Sequence, residues 1–182
     1  MRYDPRLTDY LSECKAIQFD DEVYRATRIG LDPLAPSNRG GRWAPSDNCP
    51  VLYTSLKEEG ALAEISFHWS QLTPIPSKPV YLHRLRVKTG NTVRLVETDL
   101  ESLANILKQN EESDYSLTQQ IGAAIEFLDF DGLIAPSARW NCENLMLYTS
   151  NHDELNGKLE AIETKERDWK EWAGKNSFLP EN

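Results

Sequence analysis

Cysteine is scarce in this chain. Only three occur, Cys14, Cys49 and Cys142, scattered and odd in number. None forms a C-x-x-C pair, so neither a zinc site nor a disulfide framework is indicated, and a reducing cytoplasm is the expected compartment. Long apolar runs are lacking too. No stretch approaches the roughly 18 apolar residues of a membrane span, and the N-terminal segment has no continuous apolar core of the kind a secretion signal carries. Neither membrane spanning nor secretion is expected. Basic charge is also short, with 20 Lys and Arg against 29 Asp and Glu, a net charge of −9. Nucleic-acid binding depends on neutralising many phosphates, so no direct nucleic-acid footprint is expected. One anionic small molecule gripped by a few local arginines is still compatible, as is a basic protein partner. The H-E-x-x-H and G-x-S-x-G patterns are absent, which removes the zinc-protease and α/β-hydrolase readings.

What is present describes one soluble domain over residues 1–182, with 40% hydrophobic and 27% charged residues. Residues 6–14 read as an opening helix and 22–28 (EVYRATR) as a strand. The Gly-, Pro- and Ser-rich segment that follows is a loop. Val51 to Thr54 form a short strand, and three S/T-x-x-E/Q pairs are read as helix-opening capping boxes: Ser55 with Glu58, Thr98 with Glu101, and Ser116 with Gln119. The helices they open carry apolar stripes through Ala61, Leu62, Ile65 and Trp69, then Leu100, Leu103, Ala104 and Leu107, then Ile121, Ala124, Ile125 and Leu128. Strands are expected at 80–87, at LIAP after Gly132, and at 145–148. Residues 153–172 read as a C-terminal amphipathic helix with Leu155, Leu159, Ile162 and Trp169 on one side. The fold class is α+β with a compact mixed sheet.

Residues 38–69 concentrate the chemistry. A glycine turn carries Arg42, a strand ends near Tyr53, and a helix holds Glu64, at equal steps of eleven residues. A cation, an aromatic face and a carboxylate are the groups needed to hold an anionic dinucleotide and stabilise a sugar cation. Paired glycines let backbone amides approach phosphate oxygens, and a guanidinium binds them bidentately. His68, four residues after Glu64, is within reach of a hydrogen bond to it.

The ordered series YR (24–25), GGRW (40–43), LYTS (52–55), ALAE (61–64), DGLIAPSAR (131–139) and NLMLY (144–148) resembles the RES domain, over roughly residues 22–149. Members of that family are similar in fold to ADP-ribosyltransferase toxins, bind NAD and act as toxins of toxin–antitoxin modules. Some destroy NAD by phosphorolysis or hydrolysis, and at least one kind ADP-ribosylates a protein. The resemblance implies that Arg25, Arg42, Tyr53, Glu64 and Ser137 line an NAD pocket, with Asn144 a further contact. Arg25 and Arg42 are expected on the pyrophosphate, Tyr53 on the nicotinamide or ribose, Glu64 on the ribosyl cation and Ser137 on a ribose hydroxyl or the carboxamide. NAD is then a substrate, no metal is required, and a cognate small helical antitoxin is the expected partner in a hetero-oligomer. Destruction of free NAD ranks above protein ADP-ribosylation. A non-catalytic NAD-binding interaction module is the alternative of another class.

Overall fold

The central strands are apolar on both faces. In β4 (Gly132–Pro136) Leu133 joins one buried cluster and Ile134 another. In β5 (Glu143–Tyr148) Leu145 and Leu147 join the second, Met146 and Tyr148 the first. Alternation with both sides buried marks strands in the middle of a covered sheet. The computed structural model, which describes residues 3–45, 49–107, 115–152 and 157–179, places them there. β5 lies antiparallel between β4 and β2 (Val51–Ser55). β4 runs parallel to Thr92–Arg94, near the end of β3 (Val80–Arg94). β3 pairs antiparallel with β1 (Ile17–Arg28), which meets β2 through the single pair Tyr24 and Ser55. The order β1-β2-β5-β4-β3 therefore returns to β1 as a small barrel-like sheet, the α+β architecture expected. Val23, Leu52, Leu85, Ile134 and Leu145, one from each of these strands, share the cluster inside the ring.

Helices cover the outside. α1 (Pro5–Glu13), α3 (Glu97–Leu107) and α4 (Ser116–Phe127) bury Leu7, Leu11, Leu103, Ile121 and Ile125 against β4 and β5. Elsewhere α2 (Glu58–Ser70) and α5 (Trp169–Lys175) pack Leu62, Trp169 and Ala173 on Val80 and Leu82 of β3. The three predicted stripes all face inward. Asp131, buried at the entry to β4, accepts from the backbone N–H of Gly90 (2.7 Å) and Asn91 (3.1 Å), fixing the stretch of β3 that precedes the parallel pairing. Asp131→Ala strands both donors, so a loss of about 2 kcal/mol in unfolding free energy is expected, read as a lower denaturant midpoint.

The capping boxes do not form as expected. Ser55 ends β2, paired with Asn144, and its hydroxyl sits 3.3 Å from the Cys142 sulfur; Glu58 instead makes an ion pair with Arg167 at 3.1 Å. α3 begins at Glu97, where the Asp99 carboxylate accepts from Val96 N–H at 2.8 Å, in place of Thr98 and Glu101. Ser116 is the first residue of α4, and the Gln119 amide reaches outside the helix. For Glu58 and Gln119 a tertiary partner outcompetes the local one, whereas at α3 a different nearby residue, Asp99, supplies the cap.

The tail differs more. Residues 158–167 are not helix but strand β6 (Lys158–Arg167), laid along Val80–Lys88 of β3, and helix is confined to α5; Leu155 lies outside the described residues. The N-terminal half of β3 has an open backbone edge there, and pairing with it satisfies a row of N–H and C=O groups that a detached helix would leave bare. Cross-strand pairs such as Arg84 with Glu163 (3.4 Å) then accommodate charges that had suggested a solvated helix face.

Candidate active site

β1 and β2 pair at one position only, and where they part a cavity of about 420 Å³ opens, within the usual size of small-molecule sites. Arg25, Arg42, Tyr53, Glu64 and Asn144 all line it. Arg42, Tyr53 and Glu64 thus reach one concavity from a loop, a strand and a helix.

Glu64 lies on α2 just outside the deepest part of its apolar stripe. The Ser137 hydroxyl donates to its Oε1 at 3.3 Å, and the Asn144 amide donates to the same oxygen at 3.2 Å. Two neutral donors hold one oxygen, which fixes the carboxylate without neutralising it. Ser137 is not among the cavity-lining residues; it stands behind the carboxylate. The Asn144 Oδ1 is buried and has no hydrogen-bond partner among the described residues. A buried acceptor in that state is what a donor on a bound ligand would complete. His68 is exposed and packs edge-on against Phe67, so the carboxylate is positioned by Ser137 and Asn144 rather than by its helical neighbour.

Arg42 donates from Nη1 to the Pro136 carbonyl at 3.1 Å, and its guanidinium lies 5.2 Å from the centre of the Trp43 ring. Because Ser137 follows Pro136, one short segment ties the arginine and the carboxylate together. The Gly40–Trp43 turn is built differently from the sequence expectation. Gly41 N–H donates to the Ala44 carbonyl (2.9 Å) and Trp43 N–H to the Tyr53 hydroxyl (3.2 Å), so these two amides serve the turn and not an incoming anion. Glycine is needed at 41 because a Cβ there would stand 2.6 Å from the Tyr53 oxygen. Gln119 of α4 holds the Gly41 carbonyl at 2.9 Å. Burial pushes the Tyr53 hydroxyl well above the ordinary phenol range, so it stays protonated and acts as a hydrogen-bonding and packing group.

Arg25 donates from Nη1 to the carbonyls of Pro33 and Ala35, both at 2.8 Å, which staples the loop after β1 to the cavity wall. Burial lowers its pKa from the ordinary arginine value, with the charge of Asp32 acting the other way. Tyr24, Tyr115 and Arg139 also line the cavity and are not among the site residues expected from the sequence. Arg139 closes the segment DGLIAPSAR, and a cation two residues after Ser137 is the sequence signal that points to it. Among the described residues no group of three His, Cys, Asp or Glu is placed to hold a metal ion, and no helix is long and apolar enough to cross a membrane.

A family model described as the RES domain matches residues 21–170, which extends the resemblance through β6 into α5. Among solved structures, a chain of the M. tuberculosis MbcT–MbcA toxin–antitoxin complex superposes with a TM-score of 0.76 at 19% identity, covering 93% of this chain and 96% of that one. An anti-CRISPR protein aligns at a TM-score of 0.38 and 10% identity, covering 82% of this chain and 99% of that one. No curated protein matches the sequence.

Proposed function

The chain belongs to the RES domain family, and on that premise we propose that it is the toxin of a toxin–antitoxin pair and cleaves the bond between nicotinamide and ribose in NAD. The observation that carries this reading is the Glu64 carboxylate, anchored through one oxygen at the edge of a cavity that arginines and aromatics also line. Nicotinamide is a good leaving group, so the catalyst's task is to stabilise the positive charge that develops on the ribose as the bond breaks. A preorganised carboxylate near the anomeric carbon does this electrostatically, as in glycoside cleavage. Arg42 and Tyr53 hold the dinucleotide in register, which contributes through orientation rather than bond chemistry. The unpartnered Asn144 Oδ1 accepts from a ribose hydroxyl or the carboxamide of the substrate.

A protein partner belongs to the same reading. The superposed M. tuberculosis chain comes from a toxin–antitoxin complex, and a small helical antitoxin seated over the cavity would hold this activity off.

For the acceptor of the ADP-ribose, this reading ranks phosphate or water ahead of a protein side chain. Incubating the purified chain with NAD, with and without inorganic phosphate, tests the reading by mass spectrometry of the products. Nicotinamide release with ADP-ribose-1″-phosphate or ADP-ribose is expected. NAD recovered intact in both conditions would refute catalysis and favour the non-catalytic binding module.

A further inference from the structure

Three arginines line the cavity, and they are not equally committed. Arg25 places two hydrogen bonds on loop carbonyls, and Arg42 donates to Pro136. The Arg139 side chain makes no hydrogen bond or ion pair among the described residues. Its guanidinium carbon lies 3.3 Å from the centre of the Phe67 ring. An aromatic face holds a cation without using its N–H groups, so the donors of Arg139 remain available at its edges.

Its position is fixed from two sides. Arg139 N–H donates to the Ser137 hydroxyl at 3.2 Å, and that hydroxyl donates to Glu64. Phe67 stands three residues after Glu64 on the same helix, and Glu64 and Arg139 line the same cavity. An arginine beside an acid ordinarily pairs with it. Here Glu64 is held by neutral donors instead, and the cation is kept apart on a ring. From behind, Trp140 packs on Trp172 of α5 with centroids 5.4 Å apart, and Trp172 on Phe178 at 5.6 Å. The loop is therefore braced by the C-terminal segment and needs little reordering to receive a ligand.

We propose that Arg139 is the principal anion-binding residue of the cavity, gripping a phosphate group next to the anomeric carbon, a role that rests on the NAD-cleaving reading above. Guanidinium and phosphate match in a two-pronged geometry that lysine does not reproduce. The phosphate has two possible sources with the same chemistry: the nicotinamide-side phosphate of the dinucleotide, or free inorganic phosphate arriving as acceptor.

The test compares Arg139→Ala and Arg139→Lys with the unaltered full chain. Binding of ADP-ribose and of nicotinamide riboside is measured by calorimetry, and nicotinamide release is followed against phosphate concentration. Arg139→Ala is expected to weaken ADP-ribose binding by about 10- to 100-fold with nicotinamide riboside unaffected, which assigns the dinucleotide phosphate. An unchanged ADP-ribose affinity with a tenfold or larger rise in the half-saturating phosphate concentration assigns the free anion. Arg139→Lys should recover only part of either loss. Equal weakening of both ligands, or no change in any of these quantities, overturns the proposal while leaving the NAD reading intact. An unaltered chain that binds neither ADP-ribose nor NAD overturns that reading, and the proposal with it.

Discussion

The Glu64→Gln variant is expected to release nicotinamide from NAD about 100- to 1,000-fold more slowly than the unaltered chain, the usual cost of losing one preorganised electrostatic group. The geometry makes this substitution informative. Ser137 and Asn144 both donate to Oε1, so a glutamine amide is oriented with its oxygen toward them. Its NH2 then occupies the place of the second carboxylate oxygen and offers a developing sugar cation a donor where it needs an acceptor. Size and hydrogen bonds on the anchored side are retained. Affinity for NAD should consequently stay within a few-fold, and the defect should appear in kcat rather than in binding. Near-normal turnover would remove Glu64 from the chemistry.

The second large effect is on the scaffold. Gly122 of α4 lies so close to the Trp43 carbonyl that a Cβ would overlap the oxygen, with the carbonyl carbon 2.7 Å and the Tyr148 hydroxyl 2.9 Å away. That carbonyl accepts from Tyr148 at 3.2 Å, and the N–H of the same residue is tied to Tyr53, so the turn bearing Arg42 is clamped from both directions. Backbone cannot yield as a flexible side chain does. Gly122→Ala should therefore cost about 3 kcal/mol, the upper part of the usual overpacking range. In a chain of this length that is a fall of roughly 6–12 °C in Tm. Whatever folds should also turn over NAD poorly, because the clash is relieved by pushing the Arg42 turn outward. A melting temperature unchanged within error would contradict the close approach of α4 to the turn.

Much of this arrangement was legible in the sequence, for identifiable reasons. Helical stripes such as Leu100, Leu103 and Ala104 report burial directly, and so do doubly apolar strands such as LIAP. The cavity residues stood out because their order, not any one of them, is informative. Partners set by tertiary contact were not legible. Gln119 has the spacing of a capping residue, yet its amide is used on Gly41. KLEAIETKER has helix-forming residues at helical spacing, but the open edge of β3 recruits it as a strand. Local propensity is weak against a ladder of backbone hydrogen bonds. Nor does the sequence carry the hydrogen bond by which the Ser137 hydroxyl supports Glu64.

The most direct measurement is a crystal structure of the Glu64→Gln chain with NAD bound, the substitution slowing consumption of the ligand. The account predicts nicotinamide ribose in the cavity between Tyr53 and position 64, its anomeric carbon about 3–3.5 Å from that side chain, as in a reactive complex. The phosphates should lie against arginines of the cavity wall. NAD bound at any other surface, with the anomeric carbon remote from position 64, would contradict it.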